Sequence, residues 1–226
     1  IHDIRRVLKL LPERRQNLLF SATMPESIVR LARRFLNEPV RVEVDPQSTT
    51  VERIHQRVML VPKPDKKRLL LHLLADPEME SVIVFTRTKH GANRVVKELV
   101  KGRVAAAAIH GNKSQGARQR ALAGFKSGEL RVLVATDIAS RGIDVDGVSH
   151  VINYDLPNIP ESYVHRIGRT GRAGRDGVAI AFCDESELAY LKDIEALIGE
   201  SIRVDRHHPW HYVNILAPPE APKKRQ

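Results

Sequence analysis

Hydrophobic positions in this chain follow two different rhythms, with a break near residue 45. Before the break, Ile4, Val7, Leu8 and Leu11 lie on one helical face, and Pro12 stops that helix. Residues 17–20 read as a short apolar strand running into Ser21-Ala22-Thr23. Pro25, suited to a first helical turn, opens a helix with Ile28, Leu31, Ala32 and Phe35 along one side; Pro39 ends it, and residues 40–44 alternate as a strand. The polar, proline-bearing run DPQSTT at 45–50 reads as a linker, so a boundary falls there.

After the break, strand and helix patterns alternate. Strands are predicted at 56–61, 81–85, 104–109, 131–135, 148–153 and 178–183, and helices at 65–74, 89–100, 115–125, 160–167 and 187–198. Near-uniform apolar strands between amphipathic helices predict an α/β fold, a doubly wound parallel sheet covered on both faces. Asp184 followed three residues on by Glu187 reads as a capping box rather than as a metal-binding acid after a strand. Past Gly199 the pattern fades. The HHPWH run at 207–211 has three histidines but no second ligand cluster, so no metal site is expected; APPEAPKKRQ at 217–226 reads as disordered. The resulting division is 1–44, a linker at 45–55, a main domain at 56–205 and a flexible basic tail at 206–226.

Composition narrows the class. With 42% hydrophobic residues the chain can bury a core unaided, and its single cysteine, Cys183, cannot form an internal bridge. Lys and Arg number 37 against 27 Asp and Glu, a formal charge of +10, which favours a polyanionic partner, nucleic acid first. The N-terminal IHDIRRVLKLL has no secretory pattern and no apolar run approaches a bilayer span, so a soluble, cytoplasmic protein without membrane contact is expected.

The most distinctive stretch is YVHRIGRTGRAGRDG at 163–177, where Arg166, Arg169, Arg172 and Arg175 recur every third residue and glycines recur in the same step. Arginine presents a planar fork matched to phosphate oxygens, and glycine lets the backbone approach a ligand. The triplets are too few and too poor in proline for collagen. A solvated basic loop is the plain alternative. Against it, unusual residues gather where strands end: Thr86, Arg87 and Thr88; His110-Gly111-Asn112 with Gln115 and Arg118; Thr136 and Asp137, then Ser140-Arg141-Gly142 and Asp144. In open parallel sheets ligands bind at those ends. Thr88 or Ser114 alone could simply cap the following helices.

These residues resemble the C-terminal RecA-like lobe of DEAD-box RNA helicases, in helicase superfamily 2. Ser21-Ala22-Thr23 resembles the SAT motif, residues 82–87 the VIVFTRT strand, and His110-Gly111 with Gln115 and Arg118 the HG…QxxR element; VATDIASRGID and HRIGRTGR match the next two motifs. The SAT flanks and the linker PQSTTVERIHQRV look most like the bacterial RhlE-like subgroup. The resemblance implies that Arg169 and Arg172 are arginine fingers toward ATP, with His165 and Arg166 in an interlobe network near the γ-phosphate. It gives Asp144 the ribose, and lets Arg141 with Ser21 and Thr23 couple nucleotide state to RNA grip. Thr86, Arg87, Gly111, Gln115, Arg118, Thr136 and Asp137 would line an RNA backbone without reading sequence.

No GxxxxGK[ST] loop and no DEAD tetrapeptide occur, so residues 1–44 are expected to be the end of a first lobe whose remainder holds most of the ATP with its Mg²⁺. The expected partners are RNA and that N-terminal lobe, with swapping or association through 1–44 open. Alone, such a half is expected to be inactive. The alternative is a non-catalytic RNA- or adaptor-binding module. A dinucleotide oxidoreductase fails for want of G-x-G-x-x-G after the first strand.

Overall fold

The runs VIVF and VLVA are apolar at every position, and only a strand sandwiched between two layers can bury both of its faces. The computed structural model, which describes residues 2–21, 24, 26–43, 54–137, 145, 147–171 and 176–212, places both in the middle of a sheet. The chain divides into two units, Ile1–Pro46 and Gln47–Gln226.

The larger unit carries six parallel strands: β1 (Ile54–Leu60), β2 (Val82–Phe85), β3 (Ala106–Ile109), β4 (Val132–Ala135), β5 (His150–Asn153) and β6 (Gly177–Cys183). They lie in the order β1-β6-β5-β2-β4-β3. Alternate side chains sort to opposite faces. On one face Val82, Val84, Val132 and Val134 pack beneath Leu69 and Leu70 of α3 (Lys66–Leu73) and Ala92, Val95 and Leu99 of α4 (Lys89–Lys101). On the other, Ile83, Phe85, Leu133 and Ala135 meet Ala121 and Phe125 of α5 (Gln115–Lys126). Farther along that unit, Val58, Leu60, Ala179 and Ala181 meet Tyr163 and Ile167 of α6 (Pro160–Ile167) and Leu191 and Ile194 of α7 (Leu188–Ile198). Each buried Val, Leu or Ile contributes about 1.5–3 kcal/mol by leaving water. This is the doubly wound sheet that the periodicity predicts.

Within the helices and strands of this unit, differences lie at their ends. The helix expected from residue 65 begins as a 3-10 turn, Lys63–Asp65, because Pro62 and Pro64 impose its start. β3 starts at Ala106 rather than 104 because the Val104 N–H closes α4 on the Leu99 carbonyl at 2.9 Å. Thr88 caps α4 by accepting from the Gly91 N–H at 3.0 Å, Ser114 caps α5, and Asp184 with Glu187 forms the capping box read from the sequence. Residues 203–212, expected in part as a flexible tail, run along the outer edge of β1. There the Val58 N–H donates to the Arg203 carbonyl at 2.9 Å, and Tyr212 N–H to the Leu60 carbonyl at 3.2 Å. Trp210, set edge-on to His72 at 5.7 Å, anchors that segment on the core. Residues 213–226 lie outside the described ones, as does the linker through residue 53.

The smaller unit has α1 (His2–Leu8) and α2 (Glu26–Ala32), and among its described residues no strand. The strands expected at 17–20 and 40–44 are not formed where described: Phe20 is 88% and Val40 90% exposed. A strand needs a neighbour to take its N–H and C=O groups, and an apolar run without one has no ladder to join.

Gly177 has no room for a side chain: a Cβ there would sit against the Gly171 amide and 2.6 Å from Thr170 Oγ1. Thr170 is held in turn, its hydroxyl donating to the Val148 carbonyl at 2.6 Å. Gly177→Ala is therefore expected to lower stability by about 1–3 kcal/mol, as overpacking against backbone does, read as a drop in urea midpoint at unchanged slope.

Candidate nucleic-acid and nucleotide interface

Parallel registry fixes which residues become neighbours where the strands end. Phe85 aligns with Ala135 and with Asn153, and Ala135 with Ile109. The residues that follow, His110, Thr136, Thr86 and Tyr154, therefore form one row across β3, β4, β2 and β5, spaced by about 4.8 Å per strand. Sequence positions far apart thus share one edge.

Arg166 organises the edge from beneath. Only 1% exposed, it reaches from α6 to Asp137 with a two-pronged ion pair, Nε to Oδ1 at 2.5 Å and Nη2 to Oδ2 at 2.8 Å. Its remaining arm donates to Asn153 Oδ1 at 3.0 Å and to the Asp155 carbonyl at 2.7 Å, and the guanidinium lies over the Phe85 ring at 5.2 Å. A second buried cation, Lys66, meets Asp184 at 2.9 Å and Glu187. Glu187 also accepts from Arg87 Nη2 at 3.0 Å and from the Leu156 N–H at 3.2 Å. Burial pushes the Glu187 carboxyl above its ordinary pKa even with Lys66 beside it. Burial also opposes ionisation of Asp184, but donors on Ser186 and the Lys66 ammonium hold its pKa below the usual value.

These contacts change the roles expected for several residues. Thr86 is fully buried, its hydroxyl donating to the Thr88 carbonyl at 3.2 Å, so it does not present itself to a backbone. The forks of Arg166 and Arg87 are turned to Asp137 and Glu187, and Arg87 lies over Tyr190 at 5.4 Å. Asp137, expected along RNA, is the carboxylate that neutralises Arg166. Thr86 and Arg166 support the edge from inside it, whereas Arg87 and Asp137 are held by these ion pairs and stay partly exposed. Accessible positions remain: Gly111 is open, Gln115 lies exposed in the first turn of α5 and accepts from Arg118 at 3.3 Å, and Thr136 is half-buried. At the end of α6, His165 is exposed, and Arg169 Nε donates to the His165 carbonyl at 3.2 Å. Ser21 is exposed in the smaller unit; Thr23, Arg141, Asp144 and Arg172 lie outside the described residues. Among the described residues no cluster of three or more His, Cys, Asp or Glu is placed to hold a metal ion, and no helix is long and apolar enough to cross a membrane.

The sequence reading missed Lys66, Asn153 and Asp155. Lys66 sits in PKPDKK, which looks like a solvated charge run, and only the fold encloses it.

Residues 65–174 match the helicase conserved C-terminal domain. RhlB of Pseudomonas syringae pv. tomato, an ATP-dependent RNA helicase, is 43% identical over 204 residues, covering 89% of this chain and 51% of that protein. The E. coli DEAD-box protein SrmB, solved bound to the regulator of ribonuclease activity A, is 38% identical with a TM-score of 0.65, covering 67% of this chain and 90% of that one. The chain belongs to the DEAD-box RNA helicases. As a DEAD-box chain it corresponds to the family's C-terminal lobe. S. cerevisiae Dbp5, solved with RNA and ADP BeF3, shares the fold at a TM-score of 0.81 and 32% identity, over 90% of this chain and 55% of Dbp5. The chain spans about half or less of the length of the curated relatives it matches.

Arg166→Met in this DEAD-box lobe leaves Asn153 and the partly exposed Asp137 without their cation and is expected to cost about 1–3 kcal/mol, seen in chemical denaturation. The double variant with Asp137→Leu is expected to recover part of that loss.

A pH prediction follows from His110, which is 2% exposed, with Nε2 on Asn93 at 3.0 Å and Nδ1 buried without a partner. Burial first, then Lys113, Lys89 and His90, lowers its pKa; burial likewise lowers those of His150 and His208. The unfolded chain therefore binds more protons below about pH 6.5. Stability is expected to be full above that pH and to fall as the solution is acidified, with a shallower fall in His110→Gln, measured by urea midpoints at stepped pH.

Proposed function

We propose that this chain is the C-terminal half of an ATP-dependent RNA helicase that adds arginine and backbone-gripping groups to an ATPase site completed by a preceding lobe. The observation that carries the reading is the single edge where β3 and β4 end in register, Gly111 following the one and Thr136 the other. Gln115 and Arg118 lie in the first turn of α5 after Gly111, and the Arg166 fork sets His165 on α6 and Arg169 just past its end. Hydroxyl, amide and cationic groups along an edge suit a phosphate backbone and take hold without reading bases. Selection of RNA over DNA rests on 2′-hydroxyl contacts.

The donor set fits the polyphosphate end of ATP: Arg169, oriented by its bond to the His165 carbonyl, with Arg172 three residues on. ATP with Mg²⁺ would supply the phosphoryl group to be transferred, held mainly by the preceding lobe. The residues of this chain bind and orient: Arg169 and Arg172 offset the charge that develops on the transferred group. Asp144 takes the ribose, His165 joins the lobes, and Arg141 with Ser21 and Thr23 transmits nucleotide state. Arg166 acts here as a positioning residue, setting α6 rather than touching nucleotide. Segment 1–44 is the end of the first lobe, 45–55 the interlobe linker, and the linker sequence supports an RhlE-like subgroup in the cytoplasm. That SrmB was solved bound to the regulator of ribonuclease activity A supports the reading that this lobe offers a surface to a protein partner as well.

RNA-stimulated ATP turnover is the test. The chain alone is expected to show none, and a separate lobe bearing the phosphate loop is expected to restore it. Arg169→Ala should lower the restored rate by about 10³-fold or more while RNA retention on a filter stays unchanged. Turnover by the chain alone, or an Arg169→Ala variant that retains full rescue, would overturn the split-site reading.

A further inference from the structure

A cavity of 290 Å³ opens between the facing sides of α3 and α4, beneath the ends of β2 and β5. Its walls are apolar, with Leu71 from α3 and Val95 from α4, and the ring of Tyr154 lies at its β5 side, braced against Phe182 at 5.9 Å. Cations stand around it: Lys63 and Lys67 at the start of α3 and Arg94 on α4, all exposed and used in none of the ion pairs of the edge. Two carboxylates also line it. Glu98 is engaged by Lys101 at 3.1 Å and also feels Lys67, and Asp155 accepts from the Arg87 N–H at 3.1 Å; the three exposed cations still outnumber these two acids.

An aromatic ring and aliphatic walls suit a flat heterocycle, while exposed cations suit a phosphate, and a single nucleotide unit carries both. An acidic peptide would leave the ring and the aliphatic walls unused. The cavity also adjoins Arg87 and Thr88, on the row of strand ends that runs through Thr136 to His110. From β3 to β5 is three strand spacings, about 14 Å, a span that one strand of nucleic acid can bridge. We propose that this cavity is a nucleotide subsite, taking one base against Tyr154 with its phosphate on Lys67 and Arg94. The inference rests on the RNA-edge reading for its macromolecular source; the same chemistry could also come from a free nucleotide.

The test is an amide NMR titration of the ¹⁵N-labelled full chain with uridine 5′-monophosphate and, separately, with an oligouridylate, following Gly91 at the cavity and Gly111 at the edge. Both signals are expected to move with the oligonucleotide, and Gly91 with the monophosphate. Lys67→Gln/Arg94→Gln, exposed positions outside the proposed ATP and RNA contacts, should weaken monophosphate binding about tenfold by removing charge-assisted contacts. It should also reduce the slope of log affinity against log salt for the oligonucleotide by about 0.7, the value for one phosphate contact on a single strand.

If Gly111 moves and Gly91 does not, in either titration, the subsite is refuted and the RNA edge stands. If Gly91 moves only with the monophosphate and Gly111 never does, the subsite stands as one for a free nucleotide and the RNA edge falls. Silence of both signals refutes both. A double variant with unchanged affinity and salt slope also overturns the subsite.

Discussion

Arg166 holds together the part of the fold on which the proposed site depends. A guanidinium with 1% exposure survives in a protein interior only when its charge and its donors are matched. Here one planar group meets Asp137 beyond β4, Asn153 at the end of β5 and the Asp155 carbonyl, and lies over Phe85 at the end of β2. Three strand ends and one helix are thereby brought into a single register. Because Arg166 sits in the last turn of α6, the same contacts decide where His165 and Arg169 emerge.

Lys66 does similar work at the other side of the edge. Its ammonium draws Asp184 and Glu187 into the interior, and Glu187 in turn tethers Arg87 and the Leu156 amide. The two buried cations anchor the edge from below, so the accessible groups above them, on Gly111, Gln115 and Thr136, project from a rigid base. Pre-set geometry of this kind suits a site that must position a phosphate chain without reshaping itself around it. Lys66 and Arg87 also line the cavity between α3 and α4, their charges matched by Glu187.

Much of this was legible in the chain. Uniform runs such as VIVF and VLVA announced strands covered on both faces, and Thr88, Ser114 and the Asp184–Glu187 pair announced helix starts, because caps are local interactions within a few residues. The smaller unit was read less well. Residues 17–20 and 40–44 have strand-like composition, but pairing is a long-range property that an apolar run cannot supply for itself. The candidate site divides in the same way. Its residues stand out in the sequence because they cluster after strands, yet the sequence offered no means of telling the arginine that faces out from the one that faces in.

By itself, then, the sequence determined the alternation of strands and helices, the caps and the grouping of unusual residues after strands, since each depends on periodicity or on contacts a few positions apart. Only the tertiary structure decided that Arg166 and Arg169, three residues apart in one repeating pattern, have opposite fates. Arg166 is buried as a strut, while Arg169 emerges beside His165 at the helix end. The physical reason is burial: whether a cation is a ligand group or a structural one depends on which carboxylates the fold carries to it. For Arg166 and Lys66 those partners lie 29 and 121 residues away.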